Sequence, residues 1–324
     1  MSKSIQLKFV KVKYKGDSIG DDIRVEIEAL GKFLRFDKKI KSGTTIEIDQ
    51  EICRVETNQK ALSAEVFITI LEKDLLFNDI GSTKSSIKID SNSTEPQKFT
   101  FEIKMKETRS IIGKVWGKKI AIFELTLEAV VSEVIRYVFD EGDGWLKIVL
   151  ENNKSIGWLP AYLKIKVEEH TNAKREYFTI LEGPYRSKLA SVKFKPDGSS
   201  RFVSEIKHEP MAIAIYSISK KTLILKGKEY KTTDYEKVRW QKGLYDIEIP
   251  DYPHPGGRNY LNRSRQAMTW FRIGHGGDAY LHVGSFSLGC ITVTETERWT
   301  EIYQTLIKAR KGDFISVGVL EVVD

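Results

Sequence analysis

IQLKFVKVKY (residues 5–14) alternates apolar and polar side chains, the period of two that belongs to a strand with one face buried. The same pattern returns in IRVEIEAL (23–30), TIEIDQEI (45–52), EVFITIL (65–71), FTFEIKM (99–105) and AIFELTLEA (121–129). Gly, Asp, Asn and Ser separate these runs, as turns require. Strands at this spacing, with no long helical pattern among them, predict a β-sandwich over residues 1–131. The opening MSKSIQLKFVKVKYKG alternates from its start and lacks the continuous apolar core of a secretory signal, so it reads as the first strand.

The 324 residues suffice for two or three domains, and 41% hydrophobic with 30% charged residues lets each bury a core. No apolar run approaches the roughly 20 residues of a membrane span. Two cysteines argue against a disulfide scaffold. Cys53, in the alternating EICRVET, reads as a small core residue. Cys290 sits among Gly and Ser close to a histidine and needs another explanation. The net charge is +7, and most of the excess follows residue 173, where 24 Lys and Arg face 18 Asp and Glu. Such a balance suits an anionic partner such as a cell-wall polymer, or simply a solvated basic face. No nucleic-acid motif accompanies it, so nucleic acid is not expected as a partner.

Two acidic loops mark the first domain. GDSIGDDIRVEIE carries Asp17, Asp21 and Asp22 into a strand, and ITILEKDLLFNDIGSTKSSIKID places Glu72, Asp74 and Asp79 around a loop after one. This resembles a C2 domain, a family that binds calcium with such residues at one end of its sandwich, often beside a membrane. The resemblance implies docking to an anionic surface or to a secretion or injection particle. It offers Asp17, Asp22, Glu72, Asp74 and Asp79 as calcium ligands, oxygen donors of the kind a hard cation needs. Solvated acidic turns are the plainer reading, and no cofactor is required. Residues 132–173 read as a small β connector: GDGWLKIVLENNKSIGWLPAYLKIKV holds two hairpin strands, each led by Gly-Trp. GWLPAYL resembles the end of an SH3-type barrel, and its aromatics read as packing between domains. HTNAKRE (170–176) is the expected linker.

From 174 to 324 further strands follow: SVKFKPD, MAIAIYSI, TLILKGKEY, LYDIEI and a closing FISVGVLEVV. One amphipathic helix is expected over about 295–310, with Trp299, Ile302, Tyr303, Leu306 and Ile307 on one face and a capping box from Thr294 to Glu297. The chain as a whole is expected to be mainly β, with one helix after Cys290.

The chemistry is concentrated in TWFRIGHGGDAYLHVGSFSLGCITV (269–293). A strand delivers His282, a short Gly/Ser loop follows, and Gly289-Cys290 leads into CITV. A thiol becomes a useful nucleophile beside a base that takes its proton. Backbone amides around Leu288, Gly289 and Cys290 offer an oxyanion hole. A buried structural Cys beside a satisfied His is the alternative. Ser287-Leu288-Gly289-Cys290-Ile291 after His282-Val283-Gly284 resembles the L,D-transpeptidase (YkuD-type) signature. GLYDIEIPDYPHPGG (243–257) is similar to that family's Gly-x-Tyr-x-Ile strand and the Pro/Gly turn after it. The resemblance covers roughly 180–324.

It implies an enzyme acting on peptidoglycan stem peptides. Cys290 attacks the carbonyl between an L-configured centre and D-Ala, and His282 moves the proton. An amine acceptor gives transpeptidation; water gives carboxypeptidase activity. A backbone carbonyl near Gly284-Ser285 is expected to orient His282, and Ser287 to shape the loop. Leu288 stands where the family has a second His, and Thr292 where an Arg often follows. The loop from His282 to Cys290 is shortened, as in atypical members that include injected toxins. His275 is the rival base. His254, Arg272, His275 and Tyr280 are the candidate substrate-binding residues, and Arg258, Arg263 and Arg265 are further candidates for stem-peptide carboxylates. No metal motif is present. Action at the cell wall, without a visible signal, implies either that this sequence lacks its leader or that export follows another route, such as loading into an injection particle, with the protein cytoplasmic before delivery. The competing expectation is a surface- or assembly-binding protein whose transpeptidase-like domain is degenerate.

Overall fold

The computed structural model describes residues 2–73, 79–107, 119–168, 174–235 and 240–324. The chain divides into two units, Met1–Val134 and Ile135–Asp324, and it is mainly β, as the alternating runs predict.

The first unit holds β1 (Lys3–Gly16), β2 (Asp22–Ala29), β3 (Lys32–Lys39), β4 (Thr45–Thr57), β5 (Ala61–Glu72), β6 (Asp79–Asp90), β7 (Gln97–Lys106) and β8 (Ile120–Glu133). They form two antiparallel four-stranded sheets, β4-β1-β8-β7 and β3-β2-β5-β6. Ile23, Val25 and Ile27 of β2 meet Leu7, Phe9, Phe123 and Leu125 in one sealed core. In β1 the buried set runs Ile5, Leu7, Phe9 and then shifts phase to Val12 and Tyr14. A register shift between Phe9 and Lys11 absorbs the change, because one extra residue in a strand turns every later side chain over. Cys53 lies in this core, and burial pushes its thiol pKa up. Two strands had no clear sequence signal. β3 is an edge strand with mostly exposed side chains, joined to β2 by Leu30-Gly31, both at positive φ, the two-residue turn that suits a hairpin. β6 occupies what reads as loop, and pairs Asp79 directly with Glu72.

In the second unit, β9 (Ile135–Val138), β10 (Trp145–Leu150), β11 (Ile156–Pro160), β12 (Lys164–Val167), β13 (Arg175–Ile180), β14 (Leu189–Lys193) and β15 (Phe202–Val203) form one sheet in the order β11-β10-β14-β13-β12-β9-β15. This sheet runs across the boundary expected at 173. Ile165 pairs with Ile180 and Val167 with Phe178, so residues 175–203 complete a sheet that 132–173 only begin. Of the expected linker, residues 170–173 lie outside the described residues, and Arg175 and Glu176 belong to β13. SVKFKPD contributes to this sheet and not to the one around Cys290.

The remaining strands are β16 (Glu209–Pro210), β17 (Ala212–Ser217), β18 (Thr222–Leu225), β19 (Lys228–Thr233), β20 (Gly243–Glu248), β21 (Phe271–Arg272), β22 (Tyr280–Val283), β23 (Ile291–Val293), β24 (Ala309–Arg310) and β25 (Ser316–Val323). Eight of them make the mixed sheet β20-β25-β17-β18-β19-β23-β22-β21, and β16 pairs with β24. The final strand β25 sits inside this sheet, between β20 and β17. A buried Arg310–Glu182 ion pair (3.0 Å) and a Gly183 N–H to Phe314 O bond (2.8 Å) tie it to the seven-stranded sheet. The helix is shorter than expected: α1 spans Trp299–Ile307 after a 3-10 turn at Thr296–Arg298. Its buried face carries Trp299, Ile302, Tyr303, Leu306 and Ile307. The capping box does not form. Thr294 donates its hydroxyl to Lys231 O, while Glu295 accepts the Lys231 N–H and pairs with Arg298.

Candidate active site

β22 and β23 are parallel neighbours in register His282↔Thr292, joined only by residues 284–290. Parallel strands ordinarily need a crossover of a dozen residues or more. The return is possible here because β22 has four residues and β23 three, about 13 Å of strand at most. Ser287 (φ 68°) and Gly289 (φ 127°) make the reversal, both at the positive φ that side chains ordinarily avoid. Gly284 is needed for a different reason: a Cβ there would lie 3.0 Å from the Thr292 methyl. Ser287 donates to Cys290 O (2.6 Å) and accepts the Gly289 N–H (3.2 Å), which fixes the loop. Tyr260 clamps it from outside, accepting the Ser285 N–H (3.0 Å) and bonding the Ser285 hydroxyl (2.8 Å).

The register puts Cys290 two residues before Thr292, hence on the same face of the strand pair as His282. Both line one cavity of about 340 Å³ with Gly256, Asn259, Tyr260, Trp270, Val283, Gly284, Phe286 and Leu288. No Lys, Arg, Asp or Glu belongs to that lining. Phe286 and Leu288 are 68% and 78% exposed, so two large apolar side chains flank the opening.

His282 is buried and its Nδ1 bonds Val283 O at 2.9 Å. The orienting carbonyl is thus Val283, not the Gly284-Ser285 stretch expected. With the proton on Nδ1, Nε2 carries the lone pair and accepts from the Thr292 hydroxyl (3.0 Å). That hydroxyl has a second acceptor in Phe286 O (3.3 Å). Burial drives the His282 pKa down to about 4, against the Val283 hydrogen bond. The imidazole is therefore neutral at pH 7. The Cys290 thiol points its S–H at Asp278 O (3.7 Å). Burial pushes its pKa up, opposed by the Tyr280 backbone amide and reinforced by Asp278. The resting pair is thiol and neutral imidazole.

Behind the cavity the rings of Tyr252, His254, Trp270 and His282 form a stack. His254 lies 4.2 Å from Tyr252 and 4.5 Å from Trp270, and Trp270 lies 4.1 Å from His282. Asp251 anchors this layer, accepting from His254 Nε2 (3.0 Å), Tyr280 OH (3.0 Å) and Arg272 Nη2 (2.7 Å). Burial alone would raise the Asp251 pKa, yet His254 and its other donors hold it below the usual carboxylate range. Burial pushes Tyr280 up to about 12.

Three candidate substrate binders are thereby reassigned. His254 and Tyr280 are buried in the supporting layer, and Arg272 is committed to Asp251, so none of them lines the cavity. His275 is also occupied, its Nδ1 on Glu248 (2.9 Å) and Nε2 on Asp246. Asp246 and then Glu248 raise its pKa, making it a cation held between two carboxylates with no ring nitrogen left for a base. Arg263 bonds Thr296 and pairs with Glu297, and Arg265 belongs to a neighbouring hollow. Of the amides expected around an oxyanion, Gly289 N–H is spent on Ser287. Thr292, Trp270, Tyr260 and Asp251 escape sequence reading. Only Thr292 left a local trace, two residues beyond Cys290 on a strand.

In the first unit, Asp17 caps a turn, accepting the Ile120 N–H at 2.8 Å. Asp22 lies 3.5 Å from Lys73, and Glu72 and Asp79 are buried opposite each other. Asp74 lies outside the described residues. Among the described residues no group of three or more His, Cys, Asp or Glu is placed to hold a metal ion.

No protein-family model matches the chain, and no curated protein matches it. Among solved structures the chain is similar to a single C2 domain of plant extended synaptotagmin 1, at 15% identity and TM-score 0.24, over 40% of this chain and 93% of that one. It is similar to human GIVD cytosolic phospholipase A2 in complex with methyl gamma-linolenyl fluorophosphonate, at 10% identity and TM-score 0.26. That match covers 59% of this chain and 32% of the phospholipase, about a third of its length. A third similarity is to the two calcium-bound C2 domains of extended synaptotagmin 2, at 10% identity and TM-score 0.22, over 59% and 82%.

Proposed function

We propose that the second unit is a cysteine acyltransferase of the L,D-transpeptidase type acting on peptidoglycan stem peptides. The observation that carries this reading is the shared cavity: Cys290 and His282 open into one uncharged pocket, with the imidazole held in the tautomer that leaves Nε2 without a proton. In the reaction, the thiol proton passes to His282 Nε2 once the Thr292 hydroxyl turns to Phe286 O, its other acceptor. Sulfur adds to the peptide carbonyl, and the oxyanion is met by the amides of Leu288 and Cys290. Collapse breaks the C–N bond, forms a thioester on Cys290, and returns the proton to the departing D-Ala amine. An amine or water then attacks the thioester, His282 taking its proton and restoring the thiol. The neutral resting pair fits this route, in which the base acts during attack rather than through a standing thiolate.

A second reading has its own observation. The thiol hydrogen-bonds Asp278 O and His282 bonds Thr292, so the two chemical groups are each satisfied without the other. That is also how a degenerate, binding-only domain would look. Incubating the full chain with a disaccharide tetrapeptide, with and without a D-amino acid, separates the two. Release or exchange of the terminal D-Ala supports the enzyme. Intact substrate after long incubation under both conditions supports the binding protein. Delivery by an injection particle, with the C2-like unit as the attachment module, is the localisation this reading favours.

A further inference from the structure

The seven-stranded sheet of the second unit carries a surface that the Cys290 chemistry does not use. Strand alternation places Trp145, Lys147 and Val149 on one face of β10. The ladder sets Lys147 opposite Trp158, Val149 opposite Ile156, and Arg175 opposite Lys193. These side chains line a groove of about 350 Å³, with Glu141 and Arg201 at its side. Trp158, one of the aromatics expected to pack between domains, is half-buried and lines this groove, with Lys147 Nζ 5.7 Å from its ring centroid. Four cations face one carboxylate, and that carboxylate, Glu141, is paired with Arg201 at 2.6 Å. Among the described residues neither Lys147 nor Lys193 has a carboxylate partner.

The groove does not stop at the sheet. A second hollow of about 430 Å³ shares Glu141 and Trp145 and adds Gly142, Asp143, Leu261 and Arg265. Gln266 Nε2 donates to Gly142 O (2.9 Å) and holds this segment to the sheet. Leu261 directly follows the 3-10 turn Pro255–Tyr260, whose Gly256, Asn259 and Tyr260 line the Cys290 cavity. A track of two linked hollows thus runs from Trp158 to Arg265 and Leu261, and Leu261 is the chain neighbour of Tyr260 in the lining of the Cys290 cavity.

We infer that this track seats a glycan strand bearing acidic peptide stems, the polymer whose stem reaches Cys290; the inference rests on the function proposed above. An indole face is suited to the C–H face of a pyranose, being broad, rigid and amphipathic. Lys147, Lys193 and Arg265 meet carboxylates of the stems, a role the Cys290 cavity cannot fill because no cation lines it. A single nucleic-acid strand would also stack on tryptophan over cations. However, Glu141 and Asp143 lie within the track, and they oppose an unbroken row of phosphates more than spaced carboxylates.

The test uses the full chain with Cys290→Ala, so that polymer is bound and not turned over. Co-sedimentation with purified sacculi and titration with a two-stem tetrasaccharide are compared with titration by free tetrapeptide. Trp158→Ala and the surface pair Lys147→Glu/Lys193→Glu are each expected to weaken polymer binding about tenfold, lowering the preference for polymer over free peptide by a similar factor. The charge pair is solvent-facing, so it guards against a folding defect in the Trp variant. Polymer binding unchanged in both variants overturns the inference. So does binding of an oligothymidylate that the variants abolish while sacculi binding persists. If the variants lose sacculi binding but no stem peptide ever reacts at Cys290 in the unsubstituted chain, the groove stands and the enzyme reading falls.

Discussion

The two cysteines sit in regions of opposite design. Cys53 lies in a sandwich core closed by Leu7, Phe9, Ile27 and their neighbours, where nothing can approach it. Cys290 ends a strained loop and opens, partly exposed, into a cavity that also contains an imidazole. Burial raises both thiol pKa values, so acidity does not distinguish them. Access and a neighbouring imidazole do. On the function proposed above, the reactivity of Cys290 is a matter of what shares its space, more than of its resting charge.

The sharpest way to break that contrast is to remove each thiol in turn. Cys290→Ala is expected to abolish acyl transfer, a loss of about 10³-fold or more, with little change in stability. Cys53→Ala is expected to leave turnover intact and to cost about 1 kcal/mol of stability through the small void it leaves. Steady-state kinetics and urea denaturation of the two variants check both halves. Activity retained by Cys290→Ala removes the contrast altogether.

The next effect concerns the ring stack. Trp270 covers His282 and keeps water from it, so Trp270→Ala is expected to lower kcat about tenfold and to let the His282 pKa climb from about 4 toward the ordinary 6.5. The acid limb of kcat/KM moves up accordingly. Trp270→Phe, which keeps an aromatic cover, restores the low limb. A merely structural Trp would change stability and leave the limb where it was.

Histidines sharpen the comparison further, because His282 and His275 have opposite electrostatics although they lie only seven positions apart. The folded pKa of His282 is depressed. Its contribution to stability is whole above the unfolded value near 6.5 and is lost as pH falls from there toward 4, about 3 kcal/mol in all. His275 is raised by Asp246 and Glu248, so its contribution is whole below about 6.5 and fades as pH rises through the folded pKa. Imidazole NMR titration is expected to find His275 protonated and His282 neutral at pH 6. Two histidines titrating together would remove the distinction between clamp and base.

Smallest is Thr292→Val, which deletes the hydroxyl bonded to Nε2 while keeping the shape. Turnover is expected to change by about two- to fivefold, with no shift in substrate preference, as peptide kinetics would show.

Much of this architecture was readable in the sequence where a side chain answers to one local surface. β2 and β5 alternate cleanly because one face is core and the other water. β3 gave a weaker signal because, at an edge, its inward Leu34 and Phe36 are only half-buried against the core and Phe33 on its other face is exposed. The end of the seven-stranded sheet was missed for another reason. Pairing of Ile165 with Ile180 is decided by tertiary contact, and no local pattern announces it. The site divides the same way. Cys290, His282 and the turn residues between them lie within nine positions and carry a motif. Tyr260 and Trp270 reach the loop and His282 only through folding, as Asp251 reaches His254 and Tyr280 behind them. His275 looked like a base by spacing, but its partners Asp246 and Glu248 lie on β20, nearly thirty residues earlier.

The most direct measurement is the intact mass of the protein after brief incubation with a carbapenem or with a stem tetrapeptide, followed by peptide mapping. The account predicts one acyl adduct, on Cys290, absent from Cys290→Ala and strongly slowed in His282→Gln, with Cys53 unmodified. An unmodified Cys290 under conditions where the folded protein is intact, or an adduct that His282→Gln does not slow, contradicts it.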